Sequence, residues 1–362
     1  MSAGIGPSVT PFRQQQLELL RAVLAGLRGN GGPPLRLDLH DLRGAGFATG
    51  LTALAGHLGV VEGDEAVRAY LLEQRDEVAR RHQRFAALVP EVLGSLAAAG
   101  VPVVALKGAV LCGHTGDAPV WLPASTRPMS DVDLMVPPSA RPVAVAALTA
   151  RGHRLESSSD HEDTFLAWGD GSVGRTDGES AEHNGRIEVH PGWGQFLHGY
   201  TAAGPTFTGQ WSQAHTAAHA IGHLSSTVVR AEVRAVNVVD LWFLHAAGLD
   251  WLRTADVLAG LDPRLTAPGL WLCDAVLPEV VPSGLLQREV ARLPAVRQLE
   301  RLDPAAVLRD PTQRTTGRWR LAFAADASER TAVLRQMTGS LATGGISARV
   351  RRFFRGPSPS GS

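Results

Sequence analysis

The sequence predicts an α+β protein in which a small mixed sheet is flanked by helices, with helical regions on its N- and C-terminal sides. Apolar residues recur at helical spacing before residue 100 and again beyond about residue 212, whereas short valine-rich or alternating runs lie between these regions. We divide the chain into a helical N-terminal region (1–99), a core that contains the sheet (100–200), a helical C-terminal domain (201–346) and a disordered tail (347–362).

Three helices are predicted in the N-terminal region. The first runs from Pro11 to about Leu27, where a glycine- and proline-rich segment follows, and a short apolar segment, 51–60, forms the second. The third runs from 64 to 99, and Pro90 is predicted to kink or divide it because proline lacks the amide hydrogen that a helix needs.

Three short strands are predicted in the core. They are Val101–Leu106, which is rich in valine, Met129–Val136, which two prolines terminate, and Ile187–His190, which alternates between apolar and polar residues. Ser139 is predicted to cap a helix that runs to about Ala150, and Gly169–Gly185 reads as a long loop or a hairpin connection. The chain is then predicted to be helical over 212–225, 232–248 and 250–260.

The composition excludes several classes of function. The 35 basic residues balance the 35 acidic ones, so no global field attracts a polyanion and a nucleic-acid partner is not favoured. The two cysteines, Cys112 and Cys273, form neither a disulfide framework nor a thiolate metal site. No apolar window approaches the roughly 18 residues of a membrane span, and no leader pattern stands at the N-terminus. We therefore expect a cytoplasmic protein with no membrane partner.

Two carboxylates occupy one face of the second predicted strand, because Asp131 and Asp133 are two residues apart. Like charges on one face repel each other and are costly to desolvate, and a divalent cation removes both penalties. Hard carboxylate oxygens suit Mg²⁺, which also takes phosphate oxygens of a substrate. Glu188, on the third predicted strand, is the best candidate for a third carboxylate. With two metals, such a site activates a hydroxyl and neutralises a leaving pyrophosphate.

One basic residue stands apart from the others. Lys107 is the only lysine in the chain, and the other 34 basic residues are arginines. An ammonium group is compact, whereas a guanidinium is a wide planar fork, so a position that retains lysine in such a composition indicates that arginine does not serve there. The alternative is that one lysine has no special role.

Three segments, Leu106-Lys107-Gly108, Arg127–Val136 and Ile187–His190, resemble a bacterial nucleotidyltransferase family defined by a Leu-Lys-Gly turn, an Asp-x-Asp-Leu block and an acidic-x-His pair. That family is similar in turn to the DNA polymerase beta-like nucleotidyltransferases, and the resemblance covers roughly residues 65–260. It implies that 100–200 is the catalytic core with a nucleotidyltransferase-type sheet. It also implies that Asp131, Asp133 and Glu188 bind metal and catalyse, while Lys107, Gly108, Arg127 and Ser130 hold the nucleotide.

The resemblance implies Mg²⁺-dependent transfer of an NMP group from an NTP, with ATP preferred, to a small-molecule, peptide or protein acceptor. The superfamily normally has a Gly-Ser or Gly-Gly turn where this chain has Lys-Gly-Ala, at 107–109. Two alternatives therefore stay open: a nucleotide-sensing or partner-binding module without turnover, and a phosphoryl transferase. Arg127 either binds phosphate or neutralises the aspartates.

Polar residues around this core are candidates for substrate contacts or supporting roles. His190 shares a strand face with Glu188, either as an orienting group or as an ordinary polar residue of an edge strand. His215, His219 and His223 are spaced for one stripe of a helix, and a zinc site is the weaker interpretation because the outer pair lie about 12 Å apart. His219 or His223 is instead predicted to contact the substrate, and Arg234 and Asp240 to form a supporting ion pair.

Overall fold

A computed structural model of the protein describes residues 7–160, 162–167, 185–192, 211–293, 299–310, 320–324, 329–331 and 333–334. It confirms the α+β class, because helices surround a five-stranded mixed sheet. The predicted tail, 347–362, and most of the predicted 169–185 connection lie outside the described residues. No helix in the described ranges combines the length and the hydrophobicity that crossing a bilayer requires.

Four helices form the N-terminal part of the chain: α1 (Pro11–Leu27), α2 (Leu39–Thr49), α3 (Thr52–Leu58) and α4 (Glu65–Ala98). Side chains cap three of them: Thr10 accepts a hydrogen bond from the amide of Arg13, Asp38 accepts one from the amide of Asp41, and Asp64 accepts one from the amide of Val67. A two-stranded parallel sheet, β1 (Leu35–Arg36) with β2 (Val61–Glu62), joins this part together. Helix α2 and both strands were not predicted.

The prediction that Pro90 kinks or divides the third helix is wrong as regards division, because α4 is one helix of 34 residues with Pro90 inside it. Proline removes a single hydrogen bond from the helical ladder. The neighbouring Val89 and Val92 are fully buried, so tertiary packing keeps the helix continuous through that loss.

The strands of the five-stranded sheet are β3 (Val104–Ala105), β4 (Asp131–Val136), β5 (Arg154–Ser158), β6 (Asp163–Leu166) and β7 (Arg186–Pro191). Their order in the sheet is β3-β4-β7-β6-β5. Only the β4–β7 pair is parallel, and the other three pairs are antiparallel. The predicted strand at Val101–Leu106 is thus shorter in the structure, and β5 and β6 were not predicted.

Two short helices lie beside the sheet: α5 (Lys107–Leu111) directly after β3, and α6 (Arg141–Ala150) after β4. The prediction that Ser139 caps the second of these is wrong. Residues 138–140 form a single 3-10 turn, and Ala140 occupies the cap position without a side-chain hydrogen bond. Pro142, in the first turn of α6, needs no amide partner there, which reduces the need for a capping side chain.

The C-terminal part is helical: α7 (Gln213–Arg230), α8 (Val236–Ala246), α9 (Trp251–Ala259), α10 (Ala267–Val276) and α11 (Ser283–Ala291). The first three agree with the predicted helical segments. Apolar side chains of the N-terminal helices, the sheet and these helices form one continuous hydrophobic core. Strand β4 runs through that core, since Val132, Leu134 and Met135 are fully buried. The strand that carries the two aspartates is therefore rigidly held.

Candidate active site

Strands β4 and β7 bring the predicted carboxylates together. In their parallel register Asp133 is opposite Glu188, and Met135 is opposite His190. Side chains two residues apart share a face of a sheet, so Asp131 and Asp133 on β4 lie on the same face as Glu188 and His190 on β7. The three carboxylates predicted as metal ligands thus meet at adjacent positions of neighbouring strands.

Lys107 enters this cluster from the other neighbour of β4. The amide of Leu106 donates to the carbonyl of Asp133 at 2.9 Å, which fixes the end of β3 against β4. Lys107 follows with a positive φ of 48°, a conformation that costs a non-glycine residue on the order of 1–3 kcal/mol. Its Nζ atom donates to Oδ1 of Asp133 at 2.6 Å. The only lysine of the chain therefore lies among the carboxylates in a strained backbone position.

His190 also contacts Asp133. Its Nε2 atom is 3.1 Å from Oδ1 of Asp133, and because a carboxylate can only accept, His190 is the donor. The same nitrogen lies 3.8 Å from Oε2 of Glu188. Ligand atoms of Asp133, Glu188 and His190 all lie within 4.8 Å of one another, a spacing that one metal ion could bridge. Asp131 does not belong to this tight group, although its charge acts on Glu188 and on Lys107.

The cluster carries more negative charge than its single lysine balances. Burial, followed by the charges of Asp131 and Asp133, raises the pKa of Glu188 to about 9. Burial and Asp133 likewise raise the pKa of Asp131. Burial opposes ionisation of Asp133 too, but Lys107 and His190 outweigh it and lower its pKa. Burial disfavours the charge on Lys107, yet the three carboxylates together raise its pKa. Such opposed shifts in one cluster are typical of a functional site.

The other residues predicted to hold the nucleotide have different environments. Ser130 hydrogen-bonds to the Asp131 carboxylate. Gly108 is buried so closely against its neighbours that a Cβ there would lie 2.5 Å from Nη1 of Arg127 and 2.8 Å from Cγ of Met129. A residue larger than glycine would therefore displace Arg127, and the structure assigns Gly108 a packing role.

The predicted ion pair between Arg234 and Asp240 is wrong. Asp240 instead accepts two hydrogen bonds from Arg127, at 2.7 and 2.8 Å, in a buried bidentate pair. Arg234 precedes α8 and lies six residues before Asp240, so the two do not share a helix face. Arg127 is committed to this pair and stacks over Trp121, with 5.7 Å between its Cζ atom and the ring centroid. Its fork thus anchors the loop before β4 to α8.

Helix α7 borders a cleft beside Lys107. The cleft lining is Lys107, Leu111, Thr216, His219, Ala220, His223, Asn237 and Asp240. Burial and then the charge of Lys107 lower the pKa of His219 to about 3 and bring the pKa of His223 well below its usual value. Both imidazoles are consequently neutral at physiological pH. The cleft offers uncharged hydrogen-bonding groups next to a charged cluster.

The zinc interpretation of the α7 histidines gains no support. His215 takes part in the capping of α7 with Ser212. In the part of the chain that the structure describes, none of the three histidines belongs to a group of metal-binding side chains.

Sequence reasoning did not identify Glu162, Thr216 or Asn237. Glu162 precedes β6, and its Oε2 atom lies 3.8 Å from Nδ1 of His190. No signal pointed to it, because β6 was not predicted. Asn237 is three residues before Asp240 on α8, a spacing that places both on one helix face and could have indicated it.

No curated protein and no solved structure matches this chain. One family model does match, over residues 51–262, and its description is uncharacterised nucleotidyltransferase. The matched range contains all of the carboxylates, the lysine and the cleft, and it spans more than half of the chain. The protein therefore belongs to this family of nucleotidyltransferases and is an enzyme of that class.

Proposed function

We propose that the enzyme transfers an NMP group from an NTP, with ATP preferred, to an acceptor hydroxyl, amine or phosphate in a Mg²⁺-dependent reaction. The observation that carries this proposal is the convergence of Asp131, Asp133 and Glu188 on one face of two adjacent strands, with Lys107 among them. Small molecules, peptides and proteins are the acceptors that we favour, because the balanced charge of the chain offers no general attraction to nucleic acid.

The residues present fit a divalent cation. Because the pKa values of Glu188 and Asp131 are raised, the positive charge of Lys107 is not enough to keep all three carboxylates ionised at neutral pH. A divalent cation would supply the missing positive charge, and carboxylate oxygens suit Mg²⁺. When bound, the cation would polarise the α-phosphate and neutralise the leaving pyrophosphate. Asp131, Asp133 and Glu188 would hold it, while the hydrogen bond from His190 fixes the orientation of Asp133.

The chain's own residues divide the remaining work. The acceptor's proton passes to Glu188 as the acceptor atom forms its bond to the α-phosphorus and the bond to pyrophosphate breaks. Lys107, held by Asp133 at 2.6 Å, presents a fixed positive charge to the phosphates. Ser130 adjoins this region and is our remaining candidate for a nucleotide contact, while Gly108 permits the close packing of Arg127. The uncharged side chains in the cleft lining, among them His219, His223 and Asn237, suit an uncharged polar part of a substrate, such as the nucleoside or the acceptor.

The test is release of pyrophosphate from each NTP in the presence of Mg²⁺ and of candidate acceptors. We expect the double change of Asp131 and Asp133 to asparagine to abolish turnover. The matched control is Asp250→Asn, because Asp250 caps α9 and asparagine caps equally well. The proposal fails if the double variant turns over like the parent enzyme, or if the parent releases no pyrophosphate from any NTP across these acceptors.

One observation favours the second candidate, a nucleotide-binding module without turnover. The ammonium group of Lys107 already neutralises Asp133, which weakens that carboxylate as a metal ligand. Calorimetry separates the two functions, since tight binding of NTP with Mg²⁺ and no product would favour the module. The mass of any modified acceptor distinguishes nucleotidyl from phosphoryl transfer.

A further inference from the structure

Arg234 lies close enough to Asp131 for that carboxylate to act on its pKa, and its hydrogen bonding is unlike that of Arg127. Its Nε and Nη2 atoms are buried, and neither has a hydrogen-bond partner among the residues that the structure describes. A buried donor of a charged group that lacks a partner destabilises a protein. Arg127, by contrast, satisfies the same atoms with Asp240. The burial of Arg234 is therefore not explained by hydrogen bonds within the protein, and a bound ligand would explain it.

The backbone around Arg234 leaves space for its guanidinium. Gly50 ends α2 in the left-handed region, with φ of 69°, and a Cβ there would lie 2.8 Å from Nη2 of Arg234. The same Cβ would lie 3.3 Å from Cγ of Pro128 and 3.5 Å from Cγ1 of Val236. Glycine therefore permits the close approach of the guanidinium to the end of α2. Pro128 also ties this position to the segment that enters β4.

The surroundings of Arg234 carry surplus positive charge. Burial, followed by the charge of Arg309, lowers the pKa of Arg234 to about 10, and Asp131 is the carboxylate that opposes this most. Arg309 stacks on Phe47, with 5.6 Å between its Cζ atom and the ring centroid. Asp240 is the next carboxylate to act on Arg234, but its oxygens already accept from Arg127. Glu232 acts on Arg309, so the positive charge of Arg234 is balanced mainly by Asp131.

We propose that Arg234, with Arg309 beside it, forms an oxyanion subsite that binds a phosphate group of a substrate. A guanidinium fork matches two phosphate oxygens, and an anion would supply the partners that Nε and Nη2 lack. The position next to Asp131 would let a phosphate bridge the carboxylate cluster and the two arginines. The identity of the anion as a substrate group rests on the proposed function, whereas anion binding itself does not.

The first experiment measures binding of inorganic pyrophosphate by calorimetry in the presence of EDTA, so that no metal contributes. We expect Arg234→Met to weaken binding roughly 10- to 100-fold, the value of one or two charged hydrogen bonds. The matched control is Arg36→Met, because Arg36 is an exposed arginine in the separate two-stranded sheet. It should bind like the parent. Equal affinity of Arg234→Met and the parent, or no pyrophosphate binding by the parent, would overturn the subsite.

The melting temperature without ligand distinguishes an anion-binding role of Arg234 from a structural one, because the two roles predict opposite changes in the Arg234→Met variant. Replacing an unsatisfied buried cation by methionine should leave the melting temperature unchanged or raise it, and a large fall would contradict the inference. If Arg234→Met does not fold, Arg234→Gln decides the question, because it removes the charge and keeps a donor. Weak pyrophosphate binding by this folded variant supports the subsite, and binding equal to the parent's overturns it.

A third comparison identifies the source of the phosphate. If Arg234→Met weakens binding of ATP but not of AMP, the subsite holds the terminal phosphates of the donor nucleotide. If it weakens pyrophosphate binding but not ATP binding, the anion belongs to the acceptor; both results support the subsite. A parent enzyme that binds pyrophosphate through Arg234 but releases none from any NTP would refute the proposed function and leave the subsite intact.

Discussion

Glu188 and Glu289 are two buried glutamates in opposite situations. Glu289 is fully buried, and it accepts hydrogen bonds from Arg288, Arg292 and Thr266 at 2.8–2.9 Å. Glu188 lies among other carboxylates, and their charges together with burial raise its pKa to about 9. The fold satisfies the first charge from within and leaves the second unbalanced. Unbalanced buried charge is what a binding site for a cation requires, so the comparison supports the role that we propose for Glu188 and assigns Glu289 to stability.

The largest effect is expected at Glu188. Glu188→Gln keeps the side chain's shape but removes its charge, so turnover should fall by roughly 100- to 1,000-fold, as it does when a general base is lost. Without a divalent metal the variant should be as stable as the parent or more stable, because the change relieves repulsion from Asp131 and Asp133. Steady-state rates and thermal unfolding in EDTA measure the two effects. Undiminished turnover would remove Glu188 from the mechanism.

The same substitution at Glu289 should behave in the opposite way. Glu289→Gln places an amide among two arginines and a threonine hydroxyl, so the free energy of unfolding should fall by about 2–3 kcal/mol. The rate per folded molecule should not change, because Glu289 lies on α11 and is not part of the cleft lining. Urea unfolding and an assay at matched folded concentration check this. If the variant were as stable as the parent, the hydrogen bonds and ion pairs of Glu289 would contribute nothing to the free energy of unfolding.

A smaller effect is expected from acid. His82 on α4 donates through Nε2 to the carbonyl of Arg127 at 2.7 Å, and its Nδ1 lies 2.9 Å from Nε2 of His114. Burial, opposed by that carbonyl, lowers the pKa of His82 from 6.5 to about 4. The unfolded chain then binds a proton first as the pH falls below 6.5. The contribution of His82 to the stability of the folded protein should thus drop by roughly 2 kcal/mol between pH 6.5 and 4.

His82→Gln isolates this contribution, because glutamine can still donate to the carbonyl of Arg127 without titrating. The difference in free energy of unfolding between the parent and the variant should depend on pH between 6.5 and 4, and should be constant above 7. If this difference in free energy of unfolding were independent of pH, protonation of His82 would not be a cause of acid destabilisation. Other buried histidines, such as His219, cancel in the subtraction.

Much of the site was predictable because strand periodicity is short-range. A spacing of two residues, from Asp131 to Asp133 and from Glu188 to His190, suffices to place each pair on one face. The pairing of Arg127 with Asp240 spans 113 residues and left no local signal. The exposed strand β5 carries no alternation of apolar and polar residues, so its polar sequence was not recognised as a strand. The prediction that Pro90 divides its helix was wrong because long-range packing outweighs the local effect of proline.

The solitary lysine gives the enzyme an intrinsic reporter. Besides the α-amino group, Lys107 carries the only aliphatic amine of the chain, and it lies beside the cleft with about a quarter of its side chain exposed. Acylating reagents would therefore mark one side chain, and they would do so slowly at neutral pH, because the carboxylates raise the pKa of this amine and keep it protonated. The rate at which that mark appears, followed by the mass of the peptide that contains Lys107, would report occupancy of the cleft for any compound, including those that the enzyme never turns over.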